Sequence, residues 1–155
     1  MKKIFKHLTV FSVLFVMLFI ITGCSKKAIT AEQFKEKMEN KGYKIYDVTS
    51  QYESQISIKK GYVASKDNKY QIEFYELNNK SAATYMYKNN KEIFEDNKGS
   101  DSIVTDVNLP SYSKYNSTTN GKYRVLCQVK NTFLYVEVSK KYKEDVKDIE
   151  DYLGY

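Results

Sequence analysis

From residue 30 onward the apolar positions switch between two periods. Phe34 and Met38 lie four apart, as on one face of a helix. Thr30 stands three residues before Gln33 in the form of a capping box, Ile29 and Phe34 are placed to staple across it, and Gly42 is the stop. The period then shortens to two. A strand is expected over 43–48, and a hairpin pairs 59–65 with 70–77 through a turn near Asp67-Asn68; Tyr70, Ile72 and Phe74 alternate as in a half-buried strand. Helical spacing returns over 81–95, with Ala82, Met86, Asn90 and Ile93 on one side and Asn97-Lys98-Gly99 as the end. Residues 99–111 read as a loop holding a short strand over 103–107 and closed by Pro110. Strands over 112–117, 123–129 and 132–138 are separated by the turn dipeptides Asn120-Gly121 and Lys130-Asn131. A last helix starts at Ser139 as N-cap and carries Tyr142, Val146, Ile149 and Leu153 in one stripe.

The pattern also sets registers. A two-residue turn at Lys130-Asn131 pairs Cys127 with Leu134 and Val125 with Val136, which makes one face of that hairpin wholly apolar. At Asn120-Gly121 the same turn length would put Lys114 opposite Cys127 on the core side. A three-residue turn, Thr119-Asn120-Gly121 with Gly121 left-handed, puts Tyr115 opposite Val125 instead and is the expected one. The element order α-β-β-β-α-(β)-β-β-β-α predicts an α+β domain. Its mostly antiparallel sheet of five to six strands should carry three helices packed on one face, with a possible α-β-β-β duplication. In the last helix, Lys140, Lys141 and Lys143 come early and Asp148, Glu150 and Asp151 late, against the helix dipole, so packing of the stripe must hold it.

The first 29 residues follow a different logic. Lys2, Lys3 and Lys6 precede an apolar run from Leu8 to Ile21, shorter than the roughly 20 residues that span a bilayer. The run ends in Ile21-Thr22-Gly23-Cys24. An aliphatic residue, two small residues and a cysteine at this place resemble the lipobox of bacterial lipoproteins of the Gram-positive type, and the resemblance covers residues 1–24 only. It implies cleavage before Cys24, diacylglycerol on the Cys24 sulfur, and a protein anchored at the extracytoplasmic face of the cell membrane. The expected organisation is a signal peptide over 1–23, a lipidated tether over 24–29 and one domain over 30–155. Fully extended, the five residues 25–29 reach only about 17 Å, which holds that domain close to the membrane. Lys26 and Lys27 would each gain about 1 kcal/mol near anionic headgroups.

Cleavage would change the chemistry available. His7 is the only histidine of the chain and leaves with the signal, as do three of the lysines behind the formal net charge of +6. The sequence has two cysteines; acylation of Cys24 leaves Cys127 as the free thiol, so an internal disulfide is not expected. Without histidine, His-based triads, Cys-His dyads and His-liganded metal sites are excluded, and no Gly-rich phosphate loop is present. Residues 96–101 have a faint calcium-loop look, but Lys98 sits at a ligand position and Val107 where a bidentate Glu is needed. Glu73 and Glu76 could form an acid/base pair, though strand-end charges are the plainer reading. Cys127, among Val125, Val129 and Leu134, reads as a small core hydrophobe. No cofactor and no nucleic-acid partner are expected.

These readings predict a non-enzymatic binding or accessory module for an envelope protein or polymer. The alternative is a carrier of a small apolar ligand in a helix–sheet cavity of some 300 Å³. The expected contact surface is the sheet face away from the helices. There Arg124 opposes Glu137, Leu126 opposes Tyr135, Gln128 opposes Phe133, and Tyr75 projects beside Glu73. Tyr75, Arg124 (the only arginine), Leu126, Phe133 and Tyr135 would form an aromatic patch of the kind enriched at binding hot spots, unless segment 99–111 covers it.

Overall fold

A computed structural model describes residues 26–52 and 57–155. The signal segment, Cys24 and Ser25 lie outside the described residues. The chain is an α+β domain built on a seven-stranded sheet, antiparallel throughout, in the order β1-β2-β3-β7-β6-β5-β4. Its strands are β1 (Lys44–Asp47), β2 (Ile58–Lys66), β3 (Tyr70–Leu77), β4 (Ile103–Leu109), β5 (Tyr112–Thr119), β6 (Lys122–Val129) and β7 (Thr132–Ser139). The helices are α1 (Ala31–Asn40), the single turn α2 (Thr49–Tyr52), α3 (Lys80–Asp96) and α4 (Lys143–Leu153), with a 3-10 turn at Lys140–Tyr142.

Two meanders meet in the middle of the sheet. β1-β2-β3 and β4-β5-β6-β7 join where β3 runs antiparallel to β7, with Glu73 opposite Tyr135 and Tyr75 opposite Phe133. A helix precedes each meander, so the expected α-then-strands repetition exists as an arrangement of elements, with four strands rather than three in the second unit.

The helices lie on both faces, not on one. Phe34 and Met38 of α1 and Val146, Ile149 and Leu153 of α4 share a core with Phe74, Val125, Cys127, Leu134 and Val136. On the other face Ala83, Met86, Tyr87 and Phe94 of α3 share a second core with Tyr75, Tyr115, Leu126 and Phe133. The physical reason lies in the strands: β6 is buried from Tyr123 to Val129, so both its faces need cover. Tyr123, Val125, Cys127 and Val129 on one face and Leu126, with Arg124 and Gln128, on the other are all buried, so the strand is roofed twice.

Several local expectations hold. Thr30 and Gln33 form the capping box of α1, with Gln33 N–H donating to Thr30 Oγ1 at 3.2 Å and Thr30 N–H to Gln33 Oε1 at 2.9 Å. The β6–β7 register pairs Cys127 with Leu134, Val125 with Val136 and Arg124 with Glu137, as expected. Three details differ. The turn before β6 has two residues: Thr119 pairs with Lys122, Asn120 and Gly121 take φ of 49° and 72°, and Lys114 faces Cys127. Asn-Gly suits such a turn because both positions need φ above zero. The core accepts Lys114 because its ammonium meets Glu150 of α4 at 2.5 Å. The buried stripe of α3 is Ala83, Met86, Tyr87 and Phe94, one residue on from the expected Ala82 and Ile93; Ile93 is exposed. Finally, α4 starts at Lys143. Lys140 and Lys141 belong to the preceding 3-10 turn, and the first turn of α4 carries Glu144 and Asp145, which suit the dipole.

Candidate functional site

The five residues expected on an open sheet face lie beneath α3, and segment 103–109 is not their cover: it is the edge strand β4. Tyr75 is 2% exposed, and Leu126 and Phe133 are fully buried. The patch therefore divides into a core element, a salt-bridged element and a cleft. Leu126 belongs to the core under α3. Arg124 lies towards the C-terminal end of α3, with its guanidinium carbon 4.9 Å from the centre of the Phe94 ring. Its Nε donates to Glu137 at 2.9 Å, and Glu137 also binds Lys122. The guanidinium Nη1 and the hydroxyls of Tyr115 and Ser117 are buried there without a hydrogen-bond partner among the described residues.

Tyr75, Phe133 and Tyr135 come together at a cleft of about 290 Å³ between the sheet and α3, which Tyr52 also lines. The sheet supplies the floor, because alternation turns Glu73, Tyr75, Phe133 and Tyr135 to one face. Helix α3 supplies the wall with Met86 and Asn90, spaced four apart. Gly61, opposite Tyr75 in β2, sets the tilt of the floor: a Cβ there would come within 3.0 Å of the Tyr75 ring. The rings pack on one another. Tyr52 meets Tyr75 edge to face at 5.7 Å, and Tyr75 stacks on Phe133 at 6.4 Å.

The polar groups of the cleft are one carboxylate, the Asn90 amide and the tyrosine hydroxyls. The Tyr75 hydroxyl donates to the Glu73 carboxylate at 2.6 Å, and the Gln71 amide reaches the same carboxylate at 3.4 Å. No lysine or arginine pairs with Glu73 among the described residues. Burial raises its pKa above the usual carboxylate range, and the Tyr75 and Gln71 donors only partly offset this. The Asn90 amide nitrogen donates one N–H back to the Met86 carbonyl at 2.8 Å, which leaves its second N–H and its oxygen. Tyr135 is pushed up to about 12 by burial and by Glu137 and Glu73.

Sequence reasoning placed four of the cleft residues, Glu73, Tyr75, Phe133 and Tyr135, on one face but not in a cleft. The acid/base pair of Glu73 with Glu76, set there below the plainer reading of strand-end charges, is one that alternation separates. Glu76 faces α1, where it accepts from the Ala31 N–H at 2.9 Å and from Lys59 at 2.6 Å. Tyr52, Met86 and Asn90 were missed as site residues; only the helical spacing of the last two was a usable signal. Among the described residues no group of three or more His, Cys, Asp or Glu could hold a metal ion. No described helix is long and apolar enough to cross a membrane.

The class this defines is an antiparallel sheet roofed on both faces, with a side cleft under one roof. No protein-family model and no curated protein matches the chain. Its fold is similar to that of a solved structure, a GTP binding regulator from Thermotoga maritima, at 19% sequence identity and a TM-score of 0.50 over 81% of this chain and 88% of that one. At that identity the likeness shows the fold alone.

Proposed function

We propose that this chain is a non-enzymatic, membrane-anchored binding module that takes a small ligand into the cleft between the sheet and α3. The observation that carries the reading is the pocket itself: about 290 Å³, walled by aromatic rings, with a few convergent polar groups on rigid strands. The lipobox at Ile21-Thr22-Gly23-Cys24 supports anchoring through diacylglycerol at the extracytoplasmic face. Two measurements test the two halves. Small-molecule screening by amide-resolved NMR should move the signals of Tyr52, Asn90 and Tyr135 together, and Tyr135→Ala should remove the response without unfolding the chain. Shifts confined to other surfaces would reject the cleft. Cys24→Ala should accumulate as an unprocessed precursor without lipid label; normal processing of that variant would reject the anchor.

A second reading, contact with an envelope protein or polymer, draws on β4. This seven-residue edge strand is exposed along its whole length, with Ile103 at 70% and Leu109 at 55%. Exposed apolar edges pair readily with another chain. Val107→Lys should then reduce crosslinked partners in intact cells; an unchanged pattern would count against this surface.

A further inference from the structure

We infer that the cleft beneath α3 binds a ligand through an alkylammonium group, held against the Glu73 carboxylate between the rings of Tyr52, Tyr75, Phe133 and Tyr135. This rests on the cleft reading above and names its ligand class. Three independent observations point the same way.

The first is charge. Glu73 opens onto an apolar cleft with only neutral donors bound to it, Tyr75 and Gln71, and the cleft lining contains no cation. Glu73 is half-buried, and a carboxylate drawn out of water without a counter-charge is costly, a cost that a bound cation relieves.

The second is the donor and acceptor balance. The Tyr75 hydrogen is committed to Glu73 and the Asn90 amide nitrogen to the Met86 carbonyl. The Glu73 carboxylate is the charged group of the cleft lining, while the Tyr52 and Tyr135 hydroxyls and the second N–H of Asn90 can donate as well as accept. That negative charge disfavours carboxylates and phosphates and favours a positive group.

The third is the state of the rings. Nine lysine or arginine groups lie over aromatic rings among the described residues, on Tyr43, Tyr62, Tyr112, Tyr115, Tyr123, Tyr142, Tyr152 and Phe94. None lies over the four rings of the cleft. The cleft rings therefore carry no internal cation of the described residues over their faces. Ring faces attract a cation, most strongly where it is desolvated, and a methylated ammonium fits aromatic cages for that reason. A neutral ligand of the same shape would gain the contact area but neither the ring attraction nor the carboxylate.

The test is calorimetric titration of the full-length purified chain at pH 7.5 with choline, with its neutral carbon isostere 3,3-dimethylbutan-1-ol, and with propionate. Choline should bind at least tenfold more tightly than the isostere, which corresponds to about 1.4 kcal/mol, and propionate should not bind. Glu73→Gln should bring choline down to the level of the isostere while leaving isostere binding in place and without lowering the melting temperature. Should that variant not fold, Tyr135→Leu serves, with choline expected to lose more affinity than the isostere. Equal binding of choline and isostere would overturn the ammonium assignment and leave the cleft as an apolar site. Binding of propionate in preference to choline would also overturn it. Binding of none of the three would overturn both the assignment and the cleft reading.

Discussion

Lys114 shows how one side chain can decide a register. By hydrophobic pattern a lysine opposite Cys127 argues against a two-residue turn, yet that turn forms because Glu150 waits on α4 and the Tyr155 main-chain oxygen accepts from the same ammonium at 3.3 Å. The partner is 36 residues away in sequence, so no local pattern could announce it. Burial raises the pKa of Glu150, with Lys114 and the Tyr123 hydroxyl pulling the other way. Removing one member strands the other. Lys114→Ala should cost about 3–5 kcal/mol in urea unfolding, whereas Lys114→Met combined with Glu150→Leu should recover most of it. If the single and double variants are equally unstable, the pair is not coupled as described. Cys127, its cross-strand neighbour, conforms to expectation: it is fully buried, and burial pushes its thiol up to about 12. Native protein should therefore react slowly with a thiol reagent and fast once denatured; rapid native labelling would contradict the packing.

Elements were legible where one period ran unbroken. The capping box of α1, both turn dipeptides of the last meander and the β6–β7 register all follow from residues within about a dozen positions of one another. The face of α3 was not legible, because Ala82 and Ala83, Ile93 and Phe94, and the amphipathic Tyr87 support either of two stripes one residue apart. Packing against Tyr115 and Tyr135 selects the one holding Phe94, which meets their rings at 6.4 Å and 5.4 Å. Phe94→Ala should cost about 3–5 kcal/mol, while Ile93→Ala, at a position 49% exposed, should change stability by less than about 0.5 kcal/mol. Comparable losses at both positions would mean the helix is turned differently on the sheet. β4 escaped full recognition because Thr105 and Asp106 interrupt its alternation and pairing with β5 holds it. The β3–β7 junction leaves no local trace at all, and it is the junction that brings Glu73 beside Tyr135 and so creates the site.

At the scale of the whole molecule the carboxylates pull stability in opposite directions as pH changes. Glu76 and Glu137 are buried enough to be pushed up, yet Lys59 with the Ala31 N–H, and Lys122 with Arg124, bring them below the ordinary range; Asp47 is lowered to about 2 by Lys60 and Thr49. Groups depressed in the folded state add stability that is present above their unfolded pKa, near 4, and is lost as pH falls through the folded value. Glu73, like Glu150, has the other sign. Its folded pKa is raised, so the native state holds its proton more tightly than the unfolded chain and stability increases as pH falls from above the folded pKa towards the unfolded one. The groups around it do not reverse this: α3 presents Met86 and Asn90, β7 presents Tyr135, and the strand itself presents Tyr75 and Gln71, none of them a cation. The melting temperature should therefore rise on mild acidification from pH 8, then fall below about pH 4 as the depressed carboxylates are protonated. Glu73→Gln should raise the melting temperature at pH 8 and reduce the mildly acidic rise to the part that Glu150 supplies, leaving the acid limb intact. If Glu73→Gln instead lowers stability at pH 8, the carboxylate is a structural acceptor for Tyr75, and its ionised form is already accommodated by the fold.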